Sequence, residues 1–124
     1  SEDTVKNKLH YLSMKGNEVF KHAVKRMGEA ALEALKQAGI EKEQVDYLIP
    51  HQANLRIIDA TGERLNLPKE KIVANIHKYG NMSVATIPVA LHELAEAGKL
   101  QKGQIIVMVA FGAGFTWASA VYRW

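Results

Sequence analysis

Within Gln104-Ile105-Ile106-Val107-Met108-Val109-Ala110-Phe111, Ile105 to Phe111 is an unbroken, largely β-branched apolar run, and Gly112-Ala113-Gly114 ends it. Apolar residues at successive positions place apolar groups on both faces of a strand. The run therefore predicts a strand covered on both sides. Phe115 to Arg123 reads as a further strand, ending at Trp124. The glycine turn between the two is short, so they should pair antiparallel.

A strand covered on both faces needs a layer on each side, and the chain upstream supplies three helices. Asn17 to Ala38 carries Phe20, Val24, Met27, Ala31 and Leu35 on one stripe, with Asn17 as the expected N-cap and Gly39 as the terminating glycine. Leu55 to Leu65 predicts a second helix, with Leu55, Ile58 and Leu65 inward. Ser83 to Ala97 predicts a third, with Val84, Ile87, Leu91 and Leu94 inward. Pro88 should bend or delay it. Val45 to Pro50 reads as a short buried strand, Ile72 to Ala74 as a brief one and Asn75 to Asn81 as a loop. The alternation Leu9, Tyr11, Ser13 suggests a strand within Thr4 to Ser13. The expected fold class is α/β: one layered domain over residues 1–124, with a mixed sheet and helices on both faces.

Composition fits that reading and removes some chemistries. The chain has 124 residues, 48% apolar and 23% charged, an ordinary globular balance. It has no cysteine, so it holds no disulfide, no cysteine zinc site and no thiol nucleophile of its own. The same absence fits a cytoplasmic setting. Sixteen Lys+Arg against 13 Asp+Glu give a net charge of +3, a thin basis for nucleic-acid binding. No apolar run approaches membrane-spanning length. The five histidines, at 10, 22, 51, 77 and 92, show no ligand spacing, so no metal is expected. Gly112-Ala113-Gly114-Phe115-Thr116-Trp117 begins like a dinucleotide fingerprint, but a strand follows where a helix is required. The first residue is Ser1, not methionine, as a processed chain or a piece of a longer protein would be.

Three polar turns fall where α/β folds gather ligands, beyond or near the carboxyl ends of strands. His51 follows the Val45–Pro50 strand, Gly112-Ala113-Gly114 ends the long strand, and Asn81 follows Gly80. An imidazole, an amide and a small-residue backbone all offer N–H donors, the equipment for holding an oxyanion. Each also has a plainer reading, as a structural histidine, a helix cap and a bend.

Ile49-Pro50-His51-Gln52-Ala53-Asn54, Tyr79-Gly80-Asn81-Met82-Ser83 and Ala110-Phe111-Gly112-Ala113-Gly114-Phe115-Thr116-Trp117, in that order, resemble the C-terminal half of the β-ketoacyl-acyl-carrier-protein synthase III family. These are thiolase-like condensing enzymes. The resemblance runs upstream through Gly16-Asn17-Glu18-Val19-Phe20 and down to Trp124. It implies decarboxylative condensation of an acyl-coenzyme A starter with malonyl-acyl-carrier protein, without a cofactor. It assigns His51 and Asn81 as donors to the enolate oxygen and Ala113 as one backbone oxyanion donor. It places Asn17, Ala53 and Asn54 near the pantetheine arm and Phe111 at the acyl pocket. It sets Arg56, with Lys21 second, against the acidic carrier protein. The family's nucleophilic cysteine lies in its N-terminal half. This chain should therefore be inactive alone, pair with a cysteine-bearing half, and belong to a homodimer when complete. A binding module without chemistry, or another acyltransferase of the superfamily, are the alternatives.

Overall fold

The structure, a computed structural model, describes residues 1–11 and 13–124. In chain order the elements are α1 (Glu2–Lys6), α2 (Gly16–Ala38), β1 (Val45–Pro50), α3 (Leu55–Arg64), α4 (Ile76–Tyr79), α5 (Thr86–Glu96), β2 (Ile105–Gly112) and β3 (Thr116–Arg123). The strands form one sheet in the order β1-β2-β3. β1 and β2 run parallel, with Leu48 opposite Val107 and Pro50 opposite Val109. β2 and β3 run antiparallel, with Phe111 opposite Trp117. This is the mixed sheet expected.

The run that decided the fold behaves as its composition requires. Ile105, Val107 and Val109 face a core built with Ala23, Met27, Ala31 and Leu35 of α2 and Ile57 and Leu65 of the α3 segment. Ile106 points the other way, into a second core with Ile49 of β1 and Ala90 and Leu94 of α5. Side-chain alternation along one strand thus feeds two layers. β3 is covered less well: Trp117, Tyr122 and the following Trp124 stay 44%, 49% and 38% exposed. Among the described residues no helix is long and apolar enough to cross a membrane.

Several local expectations are corrected. The strand expected within Thr4–Ser13 is not there in the described part. Glu2–Lys6 is helical, capped by the Ser1 hydroxyl, which accepts from the Thr4 N–H, with Glu2 and Asp3 in its first turn. Leu12 lies outside the described residues. Asn17 is not the N-cap of α2: the helix starts at Gly16, Lys15 holds the cap position, and no side chain caps it. Gly39 does end the helix, in the left-handed conformation at φ 66°. Leu55 is half exposed, because it is the first residue of α3 and sits off the stripe of Ile57, Ile58, Thr61 and Leu65. Ile72–Ala74 makes only a single parallel bridge, Ile72 to Leu48. Asn75–Asn81 contains the helical turn α4.

The third helix begins late, as Pro88 suggested. Ser83–Ala85 is a 3₁₀ turn, and α5 starts at Thr86. Pro88 then falls in the first turn, where its missing N–H leaves no helical bond broken. Val84, on the 3₁₀ turn, points outward at 90% exposure and is not part of the helical stripe.

Candidate active site

β1 delivers His51. Beyond Pro50 the ladder continues for one bond, the His51 N–H donating to the Val109 carbonyl at 2.8 Å. The next residue, Gln52, is fully buried and acts as a clamp. Its Nε2 donates to the carbonyls of Pro50 (2.7 Å) and Val73 (3.1 Å), and its Oε1 accepts the Asn75 N–H at 2.9 Å. A buried amide with these bonds made ties the end of β1 to the segment leading into α4.

The His51 ring is half-buried. Its Nδ1 lies 2.6 Å from the Thr86 hydroxyl at the start of α5. Thr86 is fully buried, and its Oγ1 is also 3.0 Å from the Ser83 carbonyl. Burial pushes the imidazole pKa below its ordinary value, which favours the neutral ring at neutral pH. A neutral ring carries one N–H and one lone pair, so its tautomer decides whether the other nitrogen donates.

Asn81 reaches the same place by another route. Its Oδ1 accepts the Ser83 N–H at 2.9 Å. An N–H can only bond the oxygen end, so the orientation of the amide is fixed and Nδ2 is left to donate. Ser83 itself adopts φ 55°, left-handed for a non-glycine residue. The loop is anchored from α5: Glu93 accepts from Asn75 Nδ2 (2.8 Å), Lys78 Nζ (2.8 Å) and the Tyr79 hydroxyl (2.9 Å). These donors, with the Lys78 ion pair first, hold the Glu93 carboxyl down at about 2.

The glycine turn between β2 and β3 closes the site. Gly114 sits at φ 135°, and a Cβ there would lie 3.0 Å from Thr116 Cγ2. Ala113 needs no such freedom: among the described residues the non-glycine ones with positive φ are Lys8, Asn66 and Ser83. Its carbonyl accepts the Thr116 hydroxyl at 3.1 Å.

These pieces meet. A cavity of about 510 Å³ is lined by His51, Ala53, Asn81, Phe111 and Ala113, with Met14 and Phe115 at its wall. A shallower one of about 330 Å³ adjoins it at His51, Val84 and Trp117. The arrangement can present N–H donors to an anionic oxygen beside apolar surface. The remaining expected site residues stand apart from this cavity. Asn17 is exposed in the first turn of α2. Asn54 caps α3, its Oδ1 accepting the Arg56 N–H at 2.9 Å. Arg56 is exposed, with its guanidinium carbon 5.1 Å from the Phe20 ring centroid. Lys21 is exposed on α2. Thr86 and Glu93 shape the site without any local sequence signal, because each acts on residues distant in the chain; Gln52 and Ser83 fall inside the quoted motifs, but their bonds to Val73, Asn75 and Asn81 are not legible there.

The 3-oxoacyl-[acyl-carrier-protein] synthase III C-terminal family model matches residues 35–124. The β-ketoacyl-[acyl-carrier-protein] synthase III of Desulfitobacterium hafniense is 55% identical over the whole chain, which spans 38% of that relative's length. The 3-oxoacyl-[acyl-carrier-protein] synthase III structure from Aquifex aeolicus superposes with TM-score 0.89 at 52% identity, over 92% of this chain and 37% of that one. The synthase III structure from Thermus thermophilus gives TM-score 0.87 at 52% identity, over 90% and 35%.

Proposed function

The chain belongs to the 3-oxoacyl-[acyl-carrier-protein] synthase III family, and on that premise we propose that it supplies the enolate-binding half of a starter condensing site. The supporting observation is the single cavity that gathers His51, Asn81 and Ala113. In the proposed reaction a cysteine from outside this chain takes an acyl group from acyl-coenzyme A. Malonyl-acyl-carrier protein then loses carbon dioxide, and the electron pair of the broken C–C bond forms an enolate. The enolate carbon attacks the acyl thioester and expels the cysteine thiolate.

Charge develops on two oxygens. The malonyl thioester oxygen becomes an enolate, to which His51 and Asn81 donate. Neutral donors suit this task because they are fixed before the reaction and need no proton transfer. The acyl thioester oxygen becomes a tetrahedral oxyanion, to which the Ala113 N–H donates beside the cysteine's own. Ala53, Asn54 and Asn17 flank the pantetheine arm, and Phe111 borders the acyl pocket. Arg56 and Lys21 meet the acidic carrier protein, and two complete subunits form the homodimer. This chain alone forms no acyl-enzyme.

The test joins the chain to a cysteine-bearing N-terminal half and measures condensation. Removing one oxyanion donor costs about 10²–10³ in kcat, so His51→Ala and Asn81→Ala should each lose on that order. Arg56→Glu should slow turnover of malonyl-acyl-carrier protein while sparing a small malonyl thioester. Condensation that survives the double His51→Ala, Asn81→Ala change would leave a binding module as the better reading.

A further inference from the structure

The Thr86 hydroxyl has one proton and two acceptors in reach: His51 Nδ1 at 2.6 Å and the Ser83 carbonyl at 3.0 Å. Only one can receive it. If it goes to Ser83, Nδ1 must hold its own proton to bond Thr86, and the neutral ring presents a bare lone pair at Nε2. If it goes to Nδ1, the ring's proton sits on Nε2. The two assignments give the cavity opposite groups, an acceptor or a donor.

We propose that Thr86 is a positioning residue whose hydroxyl donates to His51 Nδ1 and so fixes the ring with its proton on Nε2. The separation favours this direction. Hydroxyl donors sit at about 2.5–3.0 Å from their acceptors, whereas ring and amide N–H donors centre near 2.9–3.0 Å. At 2.6 Å the contact falls inside the O–H donor range and short of the N–H range. Thr86 is fully buried, so no water competes for its proton. The Ser83 carbonyl then gives up its longer contact with the hydroxyl and keeps its bond from the Thr86 backbone N–H. Burial also disfavours a charged ring, and in a neutral ring the tautomer alone sets the donor. The 3₁₀ turn and the first residue of α5 thereby carry both polar partners of the site: the Ser83 N–H orients Asn81, and Thr86 orients His51.

This inference rests on His51 acting as an enolate-oxygen donor, but its first readout does not. Nitrogen NMR of the His51 ring in the unaltered chain, at mildly alkaline pH, should show a protonated, pyrrole-type Nε2 and an unprotonated, pyridine-type Nδ1. Thr86→Val removes the hydroxyl and keeps the shape; the ring should then show both tautomers. In the joined, cysteine-bearing protein the same change should lower kcat about tenfold, the worth of one neutral hydrogen bond, with KM for acyl-coenzyme A unchanged. Thr86→Ser should restore both spectrum and rate. A protonated Nδ1 in the unaltered chain overturns the proposal, as does a Val variant with an unchanged ring spectrum. If the Val variant does not fold, the unaltered chain and the Ser variant still decide it. A joined protein without any condensation sinks the condensing reading, and the ring spectrum continues to judge Thr86 separately.

Discussion

Gly62 and Gly28 look alike in the sequence, each a glycine inside a helix, yet their neighbours differ in kind. A Cβ on Gly62 would lie 2.0 Å from Ile72 Cδ1 and 2.7 Å from its Cγ1. Ile72 is packed against the core and bridges to Leu48, so it has little room to give. A Cβ on Gly28 would meet the Arg64 side chain at 2.3 Å, but Arg64 is 44% exposed and can swing outward. Alanine gains about 1 kcal/mol of helix propensity over glycine, and overpacking a core costs about 1–3 kcal/mol. Packing wins at Gly62 and propensity at Gly28. Gly62→Ala should lower Tm by several degrees, and Gly28→Ala should leave it equal or higher, both read by calorimetry. The same contrast marks what was legible residue by residue. His51, Asn81 and Ala113 announce themselves by falling at or near strand ends. Thr86 stands 35 residues from His51 and reads as an ordinary threonine at a helix start.

Asn75, Gly80 and Asn81 make the Asn75–Asn81 segment read as a loop. It becomes α4 because Glu93, on a different helix, collects three donors from it. Local composition cannot reveal a tertiary anchor. Glu93→Gln should remove the ion pair to Lys78 and loosen the loop, raising amide exchange across His77–Asn81. It should also reduce condensation in the joined protein without displacing His51. The carboxyl titrates near 2 in the folded chain and near 4.5 when unfolded. Between those values the unfolded chain holds more protons, so the stability Glu93 provides is complete above pH 4.5 and is lost as pH falls toward 2. Urea unfolding across that window should show a shallower loss for the Gln variant. A pH dependence identical to that of the unaltered chain would remove Glu93 from the account. The helices themselves were easier to read: α2 and α5 keep their stripes, and only their first turns moved, where caps and the 3₁₀ turn are decided by a few atoms.

The α/β class and the mixed sheet follow from one apolar run, because a strand buried on both faces demands two layers. What that run could not disclose is how its partners are distributed along the chain. β2 and β3 are joined by a tight turn, whereas Val45 of β1 pairs with Ile105 of β2 across the intervening α3, α4 and α5. This separation has a consequence in time. Closing a long loop costs entropy before any contact repays it, so local pairings form sooner than distant ones. The β2–β3 hairpin should assemble first and β1 should dock last. Because His51 is held by its bond to Val109, the end of the molecule that carries the candidate site is completed only at that final step. Pulse-labelled exchange during refolding should protect hairpin amides before the His51 amide. Simultaneous protection would mean that the sheet forms as one unit. If the order holds, a ribosome that has not yet released β2 presents a chain in which His51 has no Val109 to hold it and the candidate site is not yet assembled.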